Sequence, residues 1–98
     1  MNIVGILLLR RIKQTAVDNC DLLFNAAVKD DLSGLTDYRK ALRSVGAEFV
    51  KTAINKTTRS LTVTFKYSSF SFFLFFYWSE ERPVELHLKE WRASHAGS

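Results

Sequence analysis

The chain has 98 residues, of which 47% are hydrophobic and 24% are charged, and it contains four Gly and one Pro. This length fits one small domain, residues 1–98, and this composition excludes a disordered or low-complexity protein. The formal net charge of +4 is uneven along the chain. Residues 36–60 carry six basic and two acidic groups, whereas the segments on either side are balanced, so the sequence predicts a local basic patch.

The apolar run at residues 3–9 has no preceding basic residue and no small-residue cleavage site, so it does not resemble a secretory signal. This run and residues 70–78 are both shorter than the roughly 20 residues of a membrane-spanning helix. The single cysteine, Cys20, excludes an intramolecular disulfide and suits a reducing compartment. We therefore expect an intracellular protein of the cytoplasm or nucleus, of cellular or viral origin, without a transmembrane segment.

Apolar residues at three- and four-residue spacing predict a first amphipathic helix that ends near Lys29. The members of this stripe are Leu9, Ile12, Ala16, Cys20, Leu23 and Ala27. Residues 3–9 either extend this helix or form a short buried strand. Residues 30–34 break the pattern.

A second helix is predicted to begin at Thr36, which suits an N-cap, with Asp37 in its first turn. One face of this helix carries Tyr38, Ala41, Leu42, Val45, Phe49 and Ala53. Gly46 interrupts the pattern, and an extended strand over residues 48–54 is the alternative. The helical interpretation is preferred, which places the helical part of the domain at about residues 3–55.

The apolar period changes to two after the turn at residues 55–58, which predicts strands. Alternation is clear over residues 61–67. A two-residue connection, Ser68-Ser69, leads to the aromatic segment 70–78. After a turn at 79–83, Val84, Leu86 and Leu88 alternate with Glu85, His87 and Lys89. The predicted fold is α+β, with two N-terminal helices packed on one face of a three-stranded antiparallel β-meander (about 60–91) and a loose tail at 92–98.

The two-residue connection fixes a register between the first two predicted strands. Counting outward, it pairs Tyr67 with Phe70, Phe65 with Phe72, Val63 with Leu74 and Leu61 with Phe76. These paired side chains share one face of the sheet, and we expect that face to pack against the helices. The other face then presents aromatic residues between polar rows, and two short helices cover one face of a sheet only.

An exposed aromatic band with a polar rim is typical of a protein interface. We therefore predict a homodimer, and thus a small non-enzymatic interaction or assembly module that acts as an adaptor or inhibitor of another macromolecule. The predicted interface residues are Phe73, Phe75, Tyr77, Trp91, Thr62 and Thr64. The alternative is a three-layer monomer in which the N-terminal segment covers this face.

Nucleic-acid binding is the second hypothesis. Basic residues on the predicted helix 37–56 and at its end are placed to contact phosphates or an acidic protein. These residues are Arg39, Lys40, Arg43, Lys51, Lys56 and Arg59. The aromatic sheet face offers a different route, the stacking of single-stranded bases.

Catalytic and ligand-binding motifs are not recognisable in this sequence. It has no Gly-rich phosphate loop, no Gly-x-Ser-x-Gly and no His-Glu-x-x-His pattern. Cys20 lies on the apolar helical stripe, which is typical of a core cysteine, and His87 and His95 are distant from it in sequence. We expect no enzymatic activity, no cofactor, no metal and no small-molecule substrate.

Overall fold

Three helices precede a four-stranded antiparallel sheet in a computed structural model that describes residues 3–79 and 85–95. The elements are α1 (Ile3–Asp18), α2 (Cys20–Lys29), a 3₁₀ turn (Ser33–Leu35), α3 (Thr36–Ser44), β1 (Ala47–Asn55), β2 (Ser60–Tyr67), β3 (Phe70–Tyr77) and β4 (His87–His95). The strands lie in chain order, β1-β2-β3-β4. The α+β class and the antiparallel meander are confirmed, with one more helix and one more strand than predicted.

The first predicted helix is divided at Asn19. The side-chain amide of Asn19 donates a hydrogen bond to the Thr15 carbonyl (2.8 Å), which also accepts the Asn19 backbone N–H (3.1 Å). The backbone of Asn19 has φ −112° and ψ 17°, which is outside the helical range, and α2 restarts at Cys20. Residues 3–9 are helical and extend α1, so the alternative of a short N-terminal strand is wrong.

The helix predicted to continue to residue 54 ends at Ser44 instead. Gly46 has φ +84°, a left-handed conformation that favours glycine, and its N–H donates to the Arg43 carbonyl (3.1 Å). The chain then continues as β1, in which Ala47 and Phe49 are buried while Glu48 and Val50 are exposed. The strand alternative for residues 48–54 was therefore the correct one.

The predicted β2–β3 register is confirmed. The structure pairs Tyr67 with Phe70, Phe65 with Phe72, Val63 with Leu74 and Leu61 with Phe76. Phe65 and Phe72 stack with ring centroids 5.2 Å apart. This pairing places the β2 and β3 core residues on the side that faces the helices.

β4 begins later, ends later and is differently paired than predicted: it starts at His87, so the strand assignment of Glu85 and Leu86 is wrong. It extends to His95, so the loose tail is wrong for residues 92–95; residues 80–84, with Val84, and residues 96–98 lie outside the described residues. A register shift makes Glu90 oppose Phe75 and Leu88 oppose Phe76, which leaves Lys89 as the extra residue of a β-bulge. The faces of β4 therefore exchange at this bulge.

The core lies between the helix layer and one face of the sheet. Its fully buried members include Ile12, Leu23, Leu35, Leu42, Leu61, Val63, Phe65, Phe72, Leu74 and Phe76. α1 lies on the same side, because Ile6 and Leu9 share a groove with Phe72. The alternative in which the N-terminal segment covers the opposite face is therefore wrong. Among the described helices, none combines the length and apolar character needed to cross a bilayer.

Candidate interaction surface

The face of the sheet that points away from the helices is called the second face here. The register aligns its side chains in four rows across the strands: Glu48-Lys66-Ser71-Ser94, Lys51-Thr64-Phe73-Arg92, Ala53-Thr62-Phe75-Glu90 and Asn55-Ser60-Tyr77-His87. Each of the last three rows has one aromatic residue from β3. Threonine or serine flanks it on β2, and a charged residue or histidine flanks it on β4. The predicted aromatic band with a polar rim is thus present on one face.

Polar side chains of β4 lie against this aromatic band. The guanidinium carbon of Arg92 lies 4.5 Å from the ring centroid of Phe75, within the range of a cation–π interaction. The ring centroids of Tyr77 and His87 lie 5.5 Å apart. Phe73 and Phe75 are half-buried, whereas Tyr77 is 44% exposed. The exposed apolar area is therefore smaller than the sequence suggests.

Thr64 lies in the centre of the second face and is only 5% exposed. Lys51 and Phe73 are its register neighbours on either side. Its hydroxyl has no hydrogen-bond partner in the described part of the chain. Thr64 therefore shapes this face without offering its hydroxyl to a partner, whereas Thr62 remains half-buried.

Trp91 does not lie on the second face, where it was predicted. Because of the bulge at Lys89, it opposes Leu74 on the helix side of the sheet, and its ring stacks on Phe72 at 5.9 Å. It is nevertheless 44% exposed. The sequence around Lys89 carries no Gly or Pro that would mark a bulge.

The predicted basic stripe does not lie on one helix. Arg39, Lys40 and Arg43 are on α3, Lys51 is on β1, and Lys56 and Arg59 are in the β1–β2 connection. Arg39 lies over the Phe49 ring on the helix side, whereas Lys51 points to the second face. The premise of a continuous basic helix 37–56 is therefore wrong, and nucleic-acid binding stays a prediction.

No protein-family model, curated protein or solved structure matches the chain. The surfaces of the fold are therefore the basis for a functional assignment.

Reactive and metal-binding chemistry is sparse in the structure. Within residues 3–79 and 85–95, no group of three or more His, Cys, Asp or Glu side chains is placed to hold a metal ion. Burial and, to a lesser extent, the carboxylate of Asp21 raise the pKa of the Cys20 thiol. A raised pKa favours the neutral thiol, which is the less nucleophilic form.

A second surface was missed by the sequence analysis. A groove of about 470 Å³ lies between α1 and the helix side of β3 and β4. We call it the α1–β4 groove; Leu9, Arg10, Lys13, Phe70, Phe72 and Trp91 are among its lining residues. The position of Trp91 depends on the β4 bulge, so no local pattern in the sequence indicates this groove.

Proposed function

We propose that the protein is a small interaction or assembly module that forms a two-fold homodimer through its second face. The observation that carries this proposal is the row of Phe73, Phe75 and Tyr77 on the side of the sheet opposite every described helix. Sheets that pack face to face bury such rows between them. The dimer would then act as a unit that presents two helix layers to other macromolecules.

The anatomy of the second face supports self-association. Aromatic residues at the centre and polar residues at the edges are the usual arrangement of protein interfaces. In a two-fold dimer the same patch serves both protomers and must complement itself. The charged groups on this face are of both signs, with Glu48 opposite Lys66 and Glu90 beside Arg92. A second copy therefore brings acidic groups for the basic residues and basic groups for the acidic residues.

The same charge balance disfavours nucleic acid as the occupant of this face. Phosphate-binding surfaces are strongly basic because each contact neutralises a phosphate charge. Here Glu90 lies directly opposite Phe75, and a carboxylate next to the stacking position repels a phosphate backbone. A protein surface of mixed charge is the better match.

The extent of burial indicates how strong the dimer is. Phe73 and Phe75 are already half-buried in the protomer, so docking removes less apolar area from water than it would for fully exposed rings. Association also costs translational and rotational freedom. We therefore expect a dimer that dissociates on dilution rather than a permanent one.

Sedimentation equilibrium on wild type and variants tests this assignment. Phe75→Glu places a carboxylate at the centre of the second face and is expected to weaken dimerisation by at least about tenfold, or about 1.4 kcal/mol. The control, Val28→Glu, introduces the same carboxylate at a 50% exposed apolar residue of α2 and should leave dimerisation unchanged. Equal weakening by both substitutions would contradict the proposed interface.

A second variant separates loss of the interface from loss of the fold. Phe75→Glu puts two carboxylates opposite each other, because Glu90 is the register partner of Phe75, and like charges across a sheet destabilise it. Phe75→Thr keeps strand propensity while removing the ring. A folded but monomeric Phe75→Thr variant supports the interface, whereas a folded variant that dimerises like wild type contradicts it.

A further inference from the structure

The α1–β4 groove is open because the helix layer covers the sheet unevenly. α1 packs on α2 and α3. Of the described helices, α2 and α3 contact the sheet most closely, and they lie on β1 and β2. The helix side of β3 and β4 is left as the floor of the groove, with Phe70, Phe72 and Trp91. Ile6 on the α1 wall is 43% exposed and Trp91 on the sheet side is 44% exposed, so apolar surface faces solvent on both sides of the groove.

Arg10 and Lys13 give this apolar groove a positive wall. They lie one turn apart on α1 and are the only charged side chains among the described residues that line the groove. Within residues 3–79 and 85–95, neither forms an ion pair or a side-chain hydrogen bond. No acidic side chain among those lining residues offsets their charge.

This combination selects for one class of ligand. A nucleotide or sugar needs several hydrogen-bonding groups along its length, whereas the indole N–H of Trp91 is the single side-chain donor among the described floor residues. A purely apolar ligand leaves Arg10 and Lys13 without a partner. A molecule with an apolar chain and one anionic head satisfies both parts of the groove, because the chain covers the aromatic floor and the head pairs with the two cations.

We propose that the α1–β4 groove binds a single-chain anionic amphiphile, of the class of fatty carboxylates. The alkyl chain lies along Ile6, Phe70 and Trp91, and the carboxylate lies between Arg10 and Lys13. The volume of the groove, about 470 Å³, lies within the usual range of small-ligand sites, roughly 300–1,000 Å³. This site is on the opposite side of the sheet from the second face, so the inference does not depend on the dimer.

Calorimetric titration with decanoate, below the concentration at which it aggregates, tests this inference. Wild type is expected to bind it saturably, and the Arg10→Gln/Lys13→Gln variant should bind on the order of tenfold more weakly. The matched control, Arg11→Gln/Lys40→Gln, removes the same charge from residues that do not line the groove and should bind like wild type. Equal weakening in the control would show general charge attraction and would overturn the site.

Two further measurements test the two parts of the ligand separately. Decanol should bind wild type more weakly than decanoate and should not distinguish the Arg10→Gln/Lys13→Gln variant from wild type; equal affinity for both ligands would overturn the head-group contact. Ala93→Phe fills the groove at an exposed lining position and should abolish decanoate binding while circular dichroism shows the fold intact. Undiminished binding in this folded variant, or no saturable binding by wild type, would overturn the proposal.

Discussion

Two buried hydroxyl groups, those of Tyr38 and Thr64, have no hydrogen-bond partner in the described part of the chain. Tyr38 is almost fully buried and packs edge-on against Phe49, with ring centroids 5.9 Å apart. Burial raises the pKa of the Tyr38 phenol well above its usual range. Folding therefore strongly disfavours the ionised form of this side chain.

Tyr38 makes the stability of the protein sensitive to alkaline pH. The unfolded chain loses the phenol proton near pH 10, as an ordinary tyrosine does, whereas the folded chain retains it. The contribution of Tyr38 is thus fully present below about pH 10 and is lost as the pH rises above that value. Urea unfolding at several pH values should show a steeper alkaline loss in wild type than in Tyr38→Phe, and identical pH profiles would contradict this account.

Some residue positions follow from sequence and others do not. Phe73, Phe75 and Tyr77 were assigned to the second face because side chains in a strand alternate between two faces. The near-complete burial of Thr64 on that face was not predicted. It depends on which side chains of the neighbouring strands, such as Lys51 and Phe73, lie around it, and alternation carries no information about this.

At the scale of elements, the β2–β3 hairpin contains a strained position. Ser68 has φ 57°, and Ser69 is not in the positive range. Positive φ at the first residue of a two-residue loop is typical of a type II′ turn, which favours glycine there. Non-glycine residues rarely adopt this conformation because the Cβ atom is crowded.

Replacing Ser68 with glycine should therefore stabilise the protein. Relief of the left-handed strain outweighs the added entropy of glycine in the unfolded chain, and we expect a net gain of about 0.5–1 kcal/mol in the free energy of unfolding. Ser69→Gly is the control, since it adds the entropy without relieving strain and should cost about 0.5–1 kcal/mol. Urea unfolding of both variants measures these values, and a loss of stability in Ser68→Gly would contradict the assigned turn.

The wrong element prediction, helix for residues 47–54, has a physical explanation. The spacing of Val45, Phe49 and Ala53 fits a helical stripe. In the structure Val45 precedes β1, and the bulge at Val50 places Phe49 and Ala53 on opposite faces of the strand. The left-handed conformation of Gly46 decides between helix and strand. Glycine permits that conformation but does not require it, so the sequence left both alternatives open.

At the scale of the whole molecule, the sheet separates two candidate surfaces. The second face lies on one side, and the α1–β4 groove lies on the other, beside the helix layer. The period-two pattern predicted the first surface, because it requires only the local alternation of side chains and the β2–β3 register. The groove depends on the β4 bulge and on where α1 sits above the sheet, and both are set by long-range packing.

Two copies of the chain are proposed to associate, and the solution mass of the wild-type protein tests this association most directly. Light scattering at two protein concentrations should give a mass that approaches twice the 11.3 kDa of the chain at the higher concentration and falls toward the single-chain value on dilution. A mass of 11.3 kDa at both concentrations would contradict the homodimer.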